Sequence, residues 1–205
     1  MPLHKIIKPN KNTTVIVWKI EEELSFLETI YLNNNSKNRI SRMKSEVHKK
    51  GFLSVRHLLK YLNYSDDDLF YTEDGKPHLN DGLRISISHS FNFSCIIVSK
   101  NVVGIDIEKN REKIIRIADK FVGEENKFLK EEDLVKQLTV IWGAKESLFK
   151  IHPDGGLLFK HHLPIEKFSL NDKKAKGWIK KDNFYEVFDI HFEFIDDFTL
   201  VYALN

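Results

Sequence analysis

Residues 84–99, RISISHSFNFSCIIVS, and residues 189–204, DIHFEFIDDFTLVYAL, decide the fold. Each is a strand-like run, a short polar turn and a second, more apolar strand, the pattern of an antiparallel hairpin. One such hairpin falls in each half of the chain. The reading is therefore an α+β protein built as two similar halves, 1–100 and 101–205, each an antiparallel sheet with a long packed helix, related by an internal repeat.

Outward from the first hairpin, TVIVWKI (14–20) reads as a strand, and 21–31 as a short helix with Leu24, Leu27 and Ile30 on one side. The Asn-rich NNNSKN run (33–38) reads as a loop. From 39 to 62, Ile40, Met43, Val47, Val55, Leu58 and Leu62 fit a long amphipathic helix interrupted at Gly51 and studded with Arg42, Lys44, Lys49, Lys50 and Arg56. A turn through DGKP follows, and SCIIVS is expected to turn at Lys100 and Asn101 into a hairpin with VVGIDIE. In the second half, helices are expected over 112–121 and 132–150. Strands are expected over 177–181, 184–194 and 198–204, with Asp196 and Asp197 turning the last hairpin.

The balance of 41% hydrophobic and 30% charged residues, with 15 Phe, is that of a chain that folds. Lys and Arg number 32 against 30 Asp and Glu, so the net charge of +2 gives no reason to expect a nucleic acid or an anionic membrane as partner. The single cysteine, Cys95, cannot form an internal disulfide and reads as a small core residue in a reducing compartment. No stretch approaches the ~20 apolar residues of a membrane span, and MPLHKIIKPNKNTT has no apolar run of signal-peptide length. A cytoplasmic protein is expected.

In VVGIDIE (102–108) the period of two puts Val103, Ile105 and Ile107 on one face and Gly104, Asp106 and Glu108 on the other. Two carboxylates side by side repel unless a cation or solvent intervenes, and hard oxygen ligands suit Mg²⁺. Spacing alone leaves two readings open, a metal site and a solvated strand face. In QLTVIWGAKESLFK (137–150), with Leu134 before it, an apolar stripe runs through Leu134, Leu138, Ile141, Trp142, Leu148 and Phe149. Glu146 and Lys150 sit four apart at its edge, as a surface ion pair or as part of a cleft. Lys145 falls within the stripe, so its ammonium must snorkel out or meet a buried anion. In SISHS (86–90), serines at Ser86, Ser88 and Ser90 alternate with Ile87 and His89. That reads either as a set of phosphate contacts or as a strand ending on a hydrogen-bonded histidine.

Taken in order, DGKPHL, SISHS, VGIDIE and WGAKESLFK resemble the 4′-phosphopantetheinyl transferase superfamily, over roughly residues 39–168. The resemblance implies the longer, single-chain branch, in which two α+β halves form a pseudo-dimer with coenzyme A in the cleft between them. It implies Asp106, Glu108 and Glu146 as Mg²⁺ ligands, and Glu146 and Lys150 as the catalytic pair, Lys150 also binding phosphate. It further implies Ser88, His89, Arg56, Lys76 and Lys145 as coenzyme A contacts. The implied activity is transfer of phosphopantetheine from coenzyme A to a serine of an apo acyl or peptidyl carrier protein, by a monomer. The alternatives are a catalytically silent module that binds coenzyme A or carrier protein, and another Mg²⁺-dependent phosphotransferase.

Overall fold

The structure is a computed structural model that describes residues 3–152 and 156–205. It is an α+β protein that divides into two compact units, Met1–Asn101 and Val102–Asn205.

The first unit runs β1 (Leu3–Asn10), β2 (Thr13–Lys19), the single turn α1 (Leu24–Leu27), α2 (Asn34–Ser41), α3 (Glu46–Tyr61), β3 (Leu69–Tyr71), β4 (Pro77–Leu79), β5 (Arg84–Ser90) and β6 (Phe93–Ser99). Its antiparallel sheet has the order β1-β2-β6-β5, with β3 and β4 forming a separate small hairpin. Phe52, Val55, Leu58 and Leu59 of α3 pack against Ile16, Trp18, Ile85, Ile96 and Val98 of the sheet.

Several expectations fail here for local reasons. The Asn-rich run is not a loop: Asn33 Oδ1 accepts from the Ser36 N–H (2.9 Å), an N-cap that starts α2. The single long helix is two, because the chain leaves α2 at Arg42 and restarts with the Ser45 side chain capping His48. The 21–31 helix shrinks to α1, which has no side-chain cap at Glu23, and beyond it the Thr29 hydroxyl bonds back to the Phe26 carbonyl (2.7 Å). β1, which the sequence reading missed, is an edge strand carrying Lys5 and Lys8. The hairpin between SCIIVS and VVGIDIE does not form, because β6 already has β2 and β5 on its two sides.

The second unit runs β7 (Val103–Lys109), a 3₁₀ stretch (Glu112–Lys120), α4 (Leu134–Ile151), the single turn α5 (Phe159–His162), β8 (Lys174–Lys181), β9 (Phe184–Ile195) and β10 (Phe198–Leu204). Its sheet order is β7-β10-β9-β8, antiparallel throughout. The stretch expected as a helix over 112–121 is wound as 3₁₀.

The hairpins at 84–99 and 189–204 are β5–β6 and β9–β10, and each turns on a residue with φ of 51°, Phe91 and Asp196. Each unit places the last strand of its hairpin beside the strand that precedes its long helix, β6 beside β2 and β10 beside β7. The internal repeat is thus a strand, a helix and a returning hairpin.

Two glycines set how closely α4 lies on its sheet. A Cβ on Gly104 would stand 2.0 Å from the Ser147 carbonyl oxygen, and one on Gly143 would stand 2.7 Å from Val201 Cγ2. Only glycine lets the helix backbone approach the strand this far. Leu138, Val140, Ile141, Ala144 and Leu148 then fill the core with Phe188, Ile190, Phe192, Val201 and Ala203. Among the described residues, no helix is long and apolar enough to cross a membrane.

Candidate active site

The close approach at Gly104 brings the polar face of β7 against α4. Asp106 lies two residues on from Gly104 and is buried, with Oδ2 3.7 Å from where a Gly143 Cβ would be. One turn along α4 comes Glu146, and one further turn brings Lys150, so positions 143, 146 and 150 share the side of the helix that meets Asp106. Lys150 Nζ donates to Asp106 Oδ1 (3.0 Å) and to the Ile105 carbonyl (2.7 Å). Its side chain keeps 28% of its surface exposed, against 6% for Asp106.

Burial first, then Asp106 and more weakly Glu108, push the Glu146 carboxyl up to about 7 against the opposing pull of Lys150. Asp106, Glu108, Glu146 and Lys150 therefore form one electrostatic group, with three acidic members and one basic. This excess of negative charge in a partly buried place is relieved by a cation, and an all-oxygen donor set matches Mg²⁺. No three of the described His, Cys, Asp and Glu side chains form a ready-made metal cage.

Lys145 turns the other way. Its side chain has 0% exposure, and Nζ sits 2.7 Å from Glu125 Oε1, 2.7 Å from the Phe121 carbonyl and 3.0 Å from the Phe159 carbonyl. Burial lowers its pKa, and Glu125 works against that shift. These partners occupy the three ammonium protons, so the expectation that Lys145 touches coenzyme A does not fit its surroundings. The buried anion it needed is a protein carboxylate. Sequence reading missed Glu125, although an inward-facing lysine is itself a signal to look for a buried acid.

Arg56, also expected at coenzyme A, has a comparable place in the first unit. It is 3% exposed, donates from Nε to Asp66 Oδ1 (2.9 Å) and lies 3.6 Å over the Phe52 ring. Its other nitrogens reach the Phe52 carbonyl and Ser36 Oγ, both at 3.3 Å. Lys76 follows Gly75 (φ +84°) in the turn between β3 and β4. Ser88 is half-buried and His89 exposed on β5. The His89 ring packs against α3 at Gly51, where a Cβ would stand 3.0 Å from Nδ1, so Gly51 is room for the imidazole and not a helix break. Of the other basic residues expected on the long helix, Arg42 is the C-cap of α2, Lys44 lies in the link to α3 and Lys49 is on α3.

The sequence model of the 4′-phosphopantetheinyl transferase superfamily matches residues 102–203, a span that contains Asp106, Glu108, Glu146 and Lys150. The 4′-phosphopantetheinyl transferase gsp of Aneurinibacillus migulanus is 29% identical over 141 residues, covering 65% of this chain and 57% of that protein. The chain thus aligns with less than two thirds of that relative's length.

Proposed function

From the premise that this chain belongs to the 4′-phosphopantetheinyl transferase superfamily, we propose that it moves the phosphopantetheine arm of coenzyme A onto a serine of an apo acyl or peptidyl carrier protein. The serine oxygen forms a bond to the β-phosphorus, the phosphoanhydride bond breaks, and adenosine 3′,5′-bisphosphate leaves. The observation that carries this reading is the meeting of Asp106, Glu146 and Lys150 where α4 crosses β7, with Lys150 Nζ 3.0 Å from Asp106 Oδ1.

Asp106, Glu108 and Glu146 are the residues that would hold Mg²⁺, and the ion would neutralise the pyrophosphate oxygens during transfer. Glu146 takes the proton of the attacking hydroxyl. Without a cation its carboxyl is held at about 7, and a bound Mg²⁺ would draw it toward the ionised form that can accept a proton. Lys150 fixes the Asp106 carboxylate and sets a positive charge beside the transferring phosphoryl group. Ser88, His89 and Lys76 serve the phosphates of coenzyme A. Lys145 does not, because its three donors are spent within the protein; Arg56 uses three of its five on Asp66, Phe52 and Ser36. The enzyme works as a monomer in the cytoplasm, a compartment that suits its single free cysteine, Cys95.

Intact-mass analysis of apo carrier proteins incubated with this protein, coenzyme A and Mg²⁺ tests the proposal. A mass gain equal to phosphopantetheine, dependent on both additions, is expected. No gain on acyl or peptidyl carriers by the folded protein overturns it.

A further inference from the structure

A cavity of about 530 Å³ in the first unit has no part in the proposed chemistry, and its size is that of a ligand site. The start of α2 (33–36), Arg39, Arg56, Asp67 and the strand β3 line it. Its β3 wall carries main-chain groups with nothing to bond. In the β3–β4 hairpin the Asn80 N–H donates to the Asp68 carbonyl (3.0 Å) and the Thr72 N–H to the Lys76 carbonyl (3.1 Å), with Phe70 opposite His78 between them. Residues 68, 70 and 72 thus face β4, and antiparallel alternation turns the N–H and C=O of Leu69 and Tyr71 the other way. β3 has no strand on that side, and none of these four groups has a main-chain partner among the described residues.

Arg56 is 3% exposed and lines the cavity with donors to spare. Its Nε bonds Asp66, while Nη1 and Nη2 each spend one N–H, on the Phe52 carbonyl and on Ser36 Oγ. A guanidinium has five N–H donors, so two remain on a side chain almost wholly buried, where an unmet donor is costly. The first turn of α2 adds the amides of Asn34 and Asn35, which have no carbonyl to meet inside the helix, the Asn33 side chain serving Ser36 instead. Arg39 is held over the rings of Phe52 (5.5 Å) and Tyr71 (5.2 Å). α2 carries Lys37 and Arg39 and no acidic residue. Asp67, the one acid of the lining, accepts the Tyr31 hydroxyl. The groove therefore offers donors and positive charge from α2 and Arg56, and alternating donors and acceptors from β3.

We propose that this groove takes an extended, acidic segment of a partner protein, which adds to β3 as a further strand and sets a carboxylate against Arg56, Arg39 and the first turn of α2. An inorganic anion answers Arg56 but brings no N–H for the carbonyls of Leu69 and Tyr71. A peptide backbone brings both kinds of group at the spacing of a strand, and its acidic side chains meet the arginines. The inference stands apart from the transfer chemistry, since none of the residues proposed for Mg²⁺ or for the phosphates lines the groove.

The test titrates the full chain with the peptide acetyl-Val-Glu-Val-Glu-Val-amide and follows backbone amides by NMR. Binding with a Kd on the order of 1 mM or tighter is expected. At saturation the Leu69 and Tyr71 amides should exchange with solvent about tenfold more slowly, because they become ladder donors. Arg39→Ala and Tyr71→Pro should each weaken binding about tenfold. Arg39 is exposed, and proline on an open edge removes the outward N–H while leaving the bonds to β4, so both variants should fold. The same peptide with lysine for glutamate, or N-methylated throughout, should not bind. No binding of the glutamate peptide at ten times that concentration overturns the proposal. So does binding that the lysine peptide matches, that leaves the two amides unprotected, or that neither variant weakens. Coenzyme A or inorganic phosphate that displaces the peptide and protects the same amides assigns the groove to the coenzyme and also overturns it.

Discussion

Replacing Glu146 by glutamine separates the cost of this site from its use. With its folded pKa at about 7 against an ordinary value of 4.5, Glu146 takes up a proton on folding anywhere between those values. The folded state is thus the better proton binder, so the stability held through Glu146 is full below pH 4.5 and is lost as pH rises to about 7. At ~1.4 kcal/mol per unit, the gap amounts to an upper limit of about 3 kcal/mol above neutrality. Glu146→Gln removes the ionisation while keeping shape and helix propensity. Urea unfolding without divalent metal should therefore give equal stabilities for variant and parent near pH 4.5. By about pH 8 the variant should lead by up to about 3 kcal/mol. The same variant should slow transfer by at least ~10²-fold, the usual loss of a general base. A stability difference that stays flat from pH 4.5 to well above pH 7 would refute the electrostatic account of the site. Parental turnover by the variant would remove Glu146 from the proton transfer.

Asp106→Asn leaves Lys150 without its carboxylate partner and takes a hard ligand from the acidic group, so Mg²⁺-supported carrier modification should become undetectable by mass. Gly104→Ala places a methyl 2.0 Å from the Ser147 carbonyl, which only a shift of α4 can relieve. Denaturation should show a loss of about 3 kcal/mol or more, together with loss of transfer; a variant as stable and active as the parent would mean that the helix has slack against β7. Gly51→Ala meets the flexible end of His89 at 3.0 Å, so unfolding should change by less than about 1 kcal/mol while calorimetry shows weaker coenzyme A binding. Lys150→Ala should cost turnover far beyond the ~0–1 kcal/mol of a surface ion pair; if only the melting temperature moves slightly, the lysine is structural.

Much of this was legible because strands and core helices write their burial into the sequence. The alternation in VGIDIE put Asp106 and Glu108 on the face away from Ile105 and Ile107, and in the structure Gly104 and Asp106 of that face do meet α4. The hairpins at 84–99 and 189–204 stood out because each apolar strand is interrupted by a single turn. What was not legible depended on pairing at a distance. Nothing near SCIIVS tells that β6, paired with β5 through their hairpin, takes β2 on its other side and not the segment after Asn101. A basic stretch such as Leu3–Asn10 shows no sign of being an edge strand until β2 is beside it. Asn33 could have been read as a helix cap from chemistry alone, since asparagine before a polar run starts helices as readily as it makes loops. For Lys145 the sequence leaves an outlet to solvent and a buried anion both open, and the Glu125 carboxylate that meets it comes from a loop with no periodicity to read.

The repeated frame of strand, helix and hairpin has a consequence for how this chain can change. In β2 the helix-facing positions hold Ile16 and Trp18, packed with α3; in β7 they hold Gly104, Asp106 and Glu108. The same architecture is solved once with oil and once with charge. The oily copy answers only to packing, so exchanging one aliphatic side chain for another there costs stability in small steps. The charged copy admits no such gradation. Its helix can sit where it does only while position 104 carries no side chain. Copying Asp106 and Glu108 onto β2 would bury two acids beneath the apolar helix face of Val55, Leu58 and Leu59.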